Sequence, residues 1–374
     1  MHYTPYAHLL LRNMVVFMAL AGAAIPAGAA GAAEPPALVT HEGDYTARDF
    51  HFTSGATLPQ LRLHYTTIGE PARDASGHVT NAVLILHGTG GSGRQFLQPQ
   101  FAGELFGPGQ PLDVAKYYVI LPDGIGHGKS SKPSDGMHAR FPEYGYADMV
   151  AAQHLLVTEG LHVDRLRLVL GTSMGCMHSF VWGETYPDFM DALMPLACLP
   201  VQIAGRNRMW RRMLIDAIRE SPAWAGGEYT VEPREALRTA ADLLQIAGSA
   251  PLYLQAIYPT RDSADRRVVE STNASLATLD ANDLLYQVSA SRDYDPSARL
   301  AEIRAPLVWV NSADDFINPP ELGIAEAQAQ RLTHGRFVLL PISERTRGHG
   351  SHTWATLWKA DLAALLDETA ARPH

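Results

Sequence analysis

The sequence predicts an α/β fold: a mostly parallel central sheet with helices on both faces and an inserted helical lid. Three observations predict it. Short apolar runs recur along the chain without the polar alternation of a half-exposed strand. Segments of helical period separate them, as a parallel sheet requires. One of the runs ends in Gly171-Thr172-Ser173-Met174-Gly175, a glycine-bracketed serine between a strand and a helix.

In chain order, Phe50 to Phe52 and Leu61 to Tyr65 flank Ser54-Gly55 and read as an antiparallel hairpin. Ala82-Val83-Leu84-Ile85-Leu86 is a buried strand, followed by His87-Gly88-Thr89-Gly90-Gly91. Tyr117 to Leu121 repeats the pattern and stops at Pro122-Asp123-Gly124. Residues 145–160 place Tyr146, Met149, Val150, Leu156 and Val157 at helical spacing. Leu166 to Leu170 is the strand ahead of Ser173, and a helix runs from there to Tyr186. Further strands fall at 192–196, 306–310 and 337–340. Between about 200 and 303 the strand pattern stops, and Trp210, Trp224, Leu243, Leu244, Leu252 and Leu254 lie in helical context. The pattern resumes at Pro306, so this segment reads as a lid inserted over the carboxyl edge of one sheet. The expected division is a leader at 1–33, a core at 34–199 and 304–374, and a lid at 200–303.

Composition narrows the function classes. Of 374 residues 46% are hydrophobic and 18% charged, which excludes a disordered chain. Two cysteines exclude a disulfide scaffold, although Cys176 and Cys198 could pair in an oxidising compartment; otherwise they read as small buried apolar residues. Thirty basic against 39 acidic residues, with no basic block, argue against nucleic acid as a partner. Residues 1–33 hold no acidic residue and one cation, Arg12, before an apolar stretch from Met14 to Ile25 that is too short to span a bilayer. Ala27-Gly28-Ala29 and Ala30-Gly31-Ala32 then match the small-residue pattern of signal-peptidase sites. The chain is therefore expected to be exported, to the periplasm or beyond, with no stable membrane anchor. The oligomeric state stays open, a homodimer included.

The chemistry is expected at strand ends. A sharp strand-to-helix turn exposes the Ser173 hydroxyl and presses backbones together, which is why glycines flank it. A serine hydroxyl needs a base, and the base needs an orienting acid. In this strand order the acid follows the strand at 306–310, where Asp314 and Asp315 stand. The base follows the strand at 337–340, where His349 and His352 are the candidates. Two backbone donors are needed for an oxyanion: Met174 N–H directly after the serine, and one from the 87–91 loop, where Thr89 N–H is best placed. The loop lacks both phosphate-binding glycine patterns, and no cofactor or metal motif is evident.

Taken together these stretches resemble the α/β-hydrolase superfamily and, more closely, its homoserine O-acetyltransferase-like branch. The resemblance is carried by Asp148-Met149-Val150 with Gln153, by Ser173-Met174-Gly175 through Trp182, and by Tyr186-Pro187-Asp188. Ala217-Ile218, Gly226-Gly227-Glu228-Tyr229 and Asp280 to Tyr286 extend it through the lid. It implies a Ser-Asp-His triad and selects Asp315, four residues before Pro319, and His349, which follows Gly348. Two departures bear on the substrate. At the lid position where the family carries the arginine understood to hold the homoserine carboxylate, this chain has Ile215. After the histidine, where the family has an aspartate, it has Gly350. Arg211, Arg212 or Arg208 could substitute for the lid arginine from other faces of the helix, but three arginines around Trp210 read rather as a solvated lid face. The expectation is thus an exported, esterase-like serine hydrolase acting on a small acyl substrate, with acyl transfer of the homoserine type as the alternative.

Overall fold

A computed structural model describes residues 38–370. The expected leader at 1–33 lies outside the described residues. Eight strands form one sheet in the order β1-β2-β4-β3-β5-β6-β7-β8. The edge pair β1 (Thr40–His51) and β2 (Thr57–Ile68) is antiparallel, and β2 also runs antiparallel to β4 (Tyr118–Pro122). From β4 onward, β3 (Ala82–Leu86), β5 (Leu168–Thr172), β6 (Leu193–Leu196), β7 (Leu307–Ser312) and β8 (Gly335–Leu340) are parallel.

The unbroken apolar runs are explained by burial on both faces. Every residue of β3, β4, β5, β6 and β7 is buried. The pleat sends alternate residues to opposite sides. Leu84 and Leu86 join one core with Met149, Phe180 and Trp182, while Val83 and Ile85 join another with Phe96, Phe101 and Trp358. The first core is covered by α2 (Tyr146–Leu155) and α3 (Met174–Thr185), and the second by α1 (Pro99–Leu105) and by a C-terminal helix at 359–368.

The hairpin is longer than its apolar residues suggested, because β1 is an edge strand whose ladder bonds extend through exposed polar positions. The strand ahead of Ser173 is displaced by two residues. Leu166 makes only an isolated bridge to Met190, and the ladder continues through Gly171 and Thr172 into the turn.

Five helices stand between β6 and β7: α4 (Gly205–Arg219), α5 (Arg234–Ala247), α6 (Pro251–Ile257), α7 (Arg261–Leu276) and α8 (Ala281–Ser289). They have their own apolar core, in which Leu214, Ile215, Ile218, Leu237, Leu276 and Leu285 are buried together. After β7 come the short α9 (Ile324–Ala329), β8 and the terminal α10 (Lys359–Glu368). Among the described residues no helix is long and apolar enough to cross a membrane.

Candidate active site

Ser173 occupies the turn between β5 and α3 with φ 55° and ψ −109°, a left-handed conformation strained for a residue with a side chain. The flanking glycines are sterically required. A Cβ at Gly171 would fall 1.8 Å from the Gly175 carbonyl oxygen, and one at Gly175 would fall 2.0 Å from the Leu86 carbonyl oxygen. The Ser173 N–H donates to Leu196 O at 2.8 Å, tying the turn to the end of β6.

His349 follows β8 on a loop whose preceding residue, Gly348, has φ 58°. The Ser173 hydroxyl lies 2.8 Å from His349 Nε2, and His349 Nδ1 lies 2.9 Å from Asp315 Oδ2. The serine, histidine and aspartate thus form one continuous chain of hydrogen bonds. Asp315 is buried, which by itself pushes its carboxyl up. The His349 charge and donors from His349, Asn318 and Ile317 outweigh burial and hold it below the ordinary aspartate range.

The adjacent carboxylate does something else. Asp314 accepts from Ser312 Oγ, from Thr346 Oγ1 at 2.8 Å and from the Gly348 N–H at 3.0 Å, so it pins the loop that carries His349. His352 makes no hydrogen bond or ion pair with Ser173 or a carboxylate. It packs edge-on against the His349 ring at 5.2 Å, and burial together with the His349 charge lowers it to about 3, leaving it neutral. No group of three His, Cys, Asp or Glu side chains suited to a metal forms among the described residues.

Met174 is the first residue of α3, where an N–H has no intrahelical acceptor, and it is buried. Thr89 lies in the loop after β3, next to Gly88, whose added Cβ would stand 3.2 Å from the Ser173 Cβ. That loop is held by His87. Its Nε2 accepts from the Gly124 N–H at 2.9 Å, so its Nδ1 carries the proton and donates to the Gly88 carbonyl at 2.8 Å. Burial lowers His87 and keeps it neutral.

Sequence reasoning missed Asn318 and left the pairing of the two cysteines open. Asn318 Nδ2 donates to both Asp315 Oδ2 and the Ala197 carbonyl, fastening the acid to the end of β6. Cys176 on α3 and Cys198 after β6 form a disulfide, with Cα atoms 5.8 Å apart. The arginines near Trp210 are a correction: Arg208 and Arg212 are exposed as expected of a solvated face, but Arg211 is 3% exposed. It lines a cavity of about 850 Å³ that also contains Ser173, Asp315 and His349. Ile215 lies one turn further along α4, within the lid core.

The α/beta hydrolase fold family model matches residues 81–344. A homoserine O-acetyltransferase of Moorella thermoacetica is 35% identical over 323 residues, covering 72% of this chain and 80% of that one. A homoserine O-acetyltransferase structure from Bacillus anthracis superposes with a TM-score of 0.77 at 19% identity, over 90% of this chain and all of that one. An acetylester hydrolase structure from Corynebacterium glutamicum does so with a TM-score of 0.76 at 19% identity, over 87% and 96%. The chain belongs to the α/β-hydrolase fold family, in its homoserine O-acetyltransferase-like branch. It is an enzyme of that superfamily, with an acyl-transferring or ester-cleaving activity.

Proposed function

We propose that the protein cleaves a carboxylic ester through an acyl-Ser173 intermediate that water resolves. The observation that carries this is the unbroken Ser173-His349-Asp315 chain in a cavity from which the family's homoserine grips are missing. Ile215 stands where the family's lid arginine would be and is buried in the lid core, and Gly350 offers no carboxylate. His349 Nε2 accepts the proton as Ser173 Oγ attacks the carbonyl, while Asp315 holds the imidazole with its proton on Nδ1. The N–H groups of Met174 and Thr89 receive the oxyanion. The alcohol leaves with the proton from His349, and an activated water then releases the acid.

Fluorophosphonate labelling tests the acyl-enzyme. The native chain is expected to label and Ser173→Ala not to. An unlabelled native chain, or an equally labelled variant, overturns the mechanism.

Transfer of the acyl group to an acceptor other than water is the second reading. The name of the Moorella thermoacetica relative favours it, whereas the fold likeness, shared with an acetyltransferase and an acetylester hydrolase alike, does not choose. Incubation with acetyl-CoA plus homoserine, against simple acetyl esters, separates the two. Free acetate from the esters alone supports hydrolysis, and O-acetylhomoserine overturns it.

Export belongs to the same proposal. The composition of residues 1–33 supports it, as does a disulfide beside the active site, which persists in an oxidising compartment. N-terminal sequencing of the protein recovered from cell fractions tests it. An intact leader on cytoplasmic protein would refute it.

A further inference from the structure

The cavity around Ser173 contains a positive charge that the protein does not neutralise. Arg211 is buried, and an arginine side chain stays protonated under all ordinary conditions. Its Nε donates to Asn207 Oδ1 at 3.0 Å and its Nη1 to Ser291 Oγ at 3.3 Å. Both acceptors are neutral, and no carboxylate among the described residues forms an ion pair with it. Its charged neighbour is another cation, Arg208. Of five guanidinium N–H donors, two are thus engaged, leaving a fork able to take a planar anion.

The surroundings are built for the same purpose. The Tyr146 hydroxyl, buried on α2, is within reach of Arg211, Thr89 and Ser291, none of them at full hydrogen-bond geometry. The Thr89 hydroxyl is buried and likewise has no partner at that geometry. Thr89 belongs to the oxyanion loop beside Ser173, so this polar patch adjoins the reacting serine. The cavity that Arg211 lines has apolar side chains such as Val201, Ile203, Leu252, Phe316 and Ile342 on its wall, with Arg206, Asp314 and Glu321 as further charged residues. An unpaired buried charge is unfavourable by itself, and an anionic ligand would complete the pair.

Resting on the ester-cleaving reading of this cavity, we propose that Arg211 is a substrate-anion receptor: the substrate is an ester that carries a carboxylate on an otherwise apolar body. The anion seats on the free fork of the guanidinium. The hydrocarbon portion lies along the apolar wall, and the scissile carbonyl faces Ser173. The position differs from that of the family's lid arginine, which is Ile215 here, and the structure places the charge one helical turn earlier.

Two matched substrate pairs test this and locate the carboxylate. Mono-p-nitrophenyl glutarate against p-nitrophenyl valerate reports an anion on the acyl half; 4-acetoxybutanoate against butyl acetate reports one on the alcohol half. In the native chain the charged member of one pair is expected to exceed the neutral member in kcat/KM by about 10- to 100-fold, the worth of a charge-assisted hydrogen bond. Arg211→Met collapses that ratio towards one, and Arg211→Lys restores part of it. A ratio near one in both pairs for the native chain, or a ratio unchanged in Arg211→Met, overturns the proposal.

Equilibrium binding separates this from failure of the acyl-enzyme reading. The Ser173→Ala chain is expected to bind glutarate, and the Ser173→Ala, Arg211→Met chain not to, by calorimetry at low salt. Equal binding by both overturns the receptor whatever the reaction proves to be. Thermal melting distinguishes a structural arginine. Removing an unpaired buried charge is expected to leave Tm equal or higher, and a fall of several degrees with the substrate ratio unchanged assigns Arg211 to structure alone.

Discussion

Replacing Asp315 by Asn tests the acid assignment at a single atom. The carboxylate accepts three hydrogen bonds: from Ile317 N–H on Oδ1 at 2.8 Å, and from Asn318 Nδ2 and His349 Nδ1 on Oδ2, each at 2.9 Å. An amide has one oxygen, and the Ile317 N–H on the same loop holds it at the Oδ1 position. The new NH2 then faces His349, whose Nδ1 must turn acceptor, so the ring proton moves to Nε2. In that tautomer the imidazole donates towards Ser173 and is unable to take its proton. The loss expected is about 10³- to 10⁴-fold in kcat, on the order of 4–5.5 kcal/mol of barrier. The assay is steady-state hydrolysis of p-nitrophenyl acetate with fluorophosphonate labelling in parallel, and the control is Asp314→Asn. Asp314 makes no hydrogen bond to a catalytic side chain but holds Gly348 and Thr346, so its variant is expected to lose stability by about 1–2 kcal/mol and activity by no more than tens-fold. Equal losses in the two variants, or the larger loss at Asp314, would refute the assignment.

Other expectations follow from neighbouring features. Gly88→Ala puts a methyl group 3.2 Å from the Ser173 Cβ. It is expected to cut kcat at least about 10-fold by displacing the nucleophile or the loop, with little change in melting; native kcat would refute it. The Cys176–Cys198 bridge closes a 22-residue separation, and replacing both by Ala is expected to cost about 3 kcal/mol in urea unfolding. Two titratable thiols in the denatured, unreduced native chain would show that no bridge exists. Glu184 is raised from 4.5 to about 7, chiefly by burial and further by Glu302 and Asp295. Between those values the folded chain keeps a proton that the unfolded chain has released, so stability falls as pH rises through the window. Glu184→Gln is expected to be more stable than the native chain by about 1–2 kcal/mol at pH 8, solvent screening allowed for, and to show no such gain at pH 4.5. A gain equal at both pH values would point to a cause other than titration.

The sheet was legible because its central strands are buried on both faces, and burial on both faces removes polar alternation from the sequence itself. The edge strands were less so. β1 owes its length to ladder bonds along exposed residues, a property of its partner β2 rather than of its own side chains. The turn at Ser173 was readable for a local reason: the Cβ atoms excluded at Gly171 and Gly175 would meet backbone within a few residues or on the neighbouring strand. The chain order of serine, acid and histidine followed from which strands precede them.

The residues themselves determined the strands, the bracketed serine, and the short loops in which an acid and a base had to lie. Resemblance to a family then chose between neighbours that composition and spacing left equal. Tertiary structure alone decided what depends on the direction of a side chain. Asp314 and Asp315 are one bond apart in sequence, yet one grips the histidine's loop and the other the histidine, because successive residues of a turn point different ways. Pairing of Cys176 with Cys198 required the end of β6 to lie beside α3, a consequence of strand order that spacing does not encode. Arg211 is the clearest case. Three arginines around a tryptophan read as a wet surface, and the packing of α4 against α5 and α8 buried the middle one on the wall of the cavity that also holds the nucleophile, with its charge left for something else to meet.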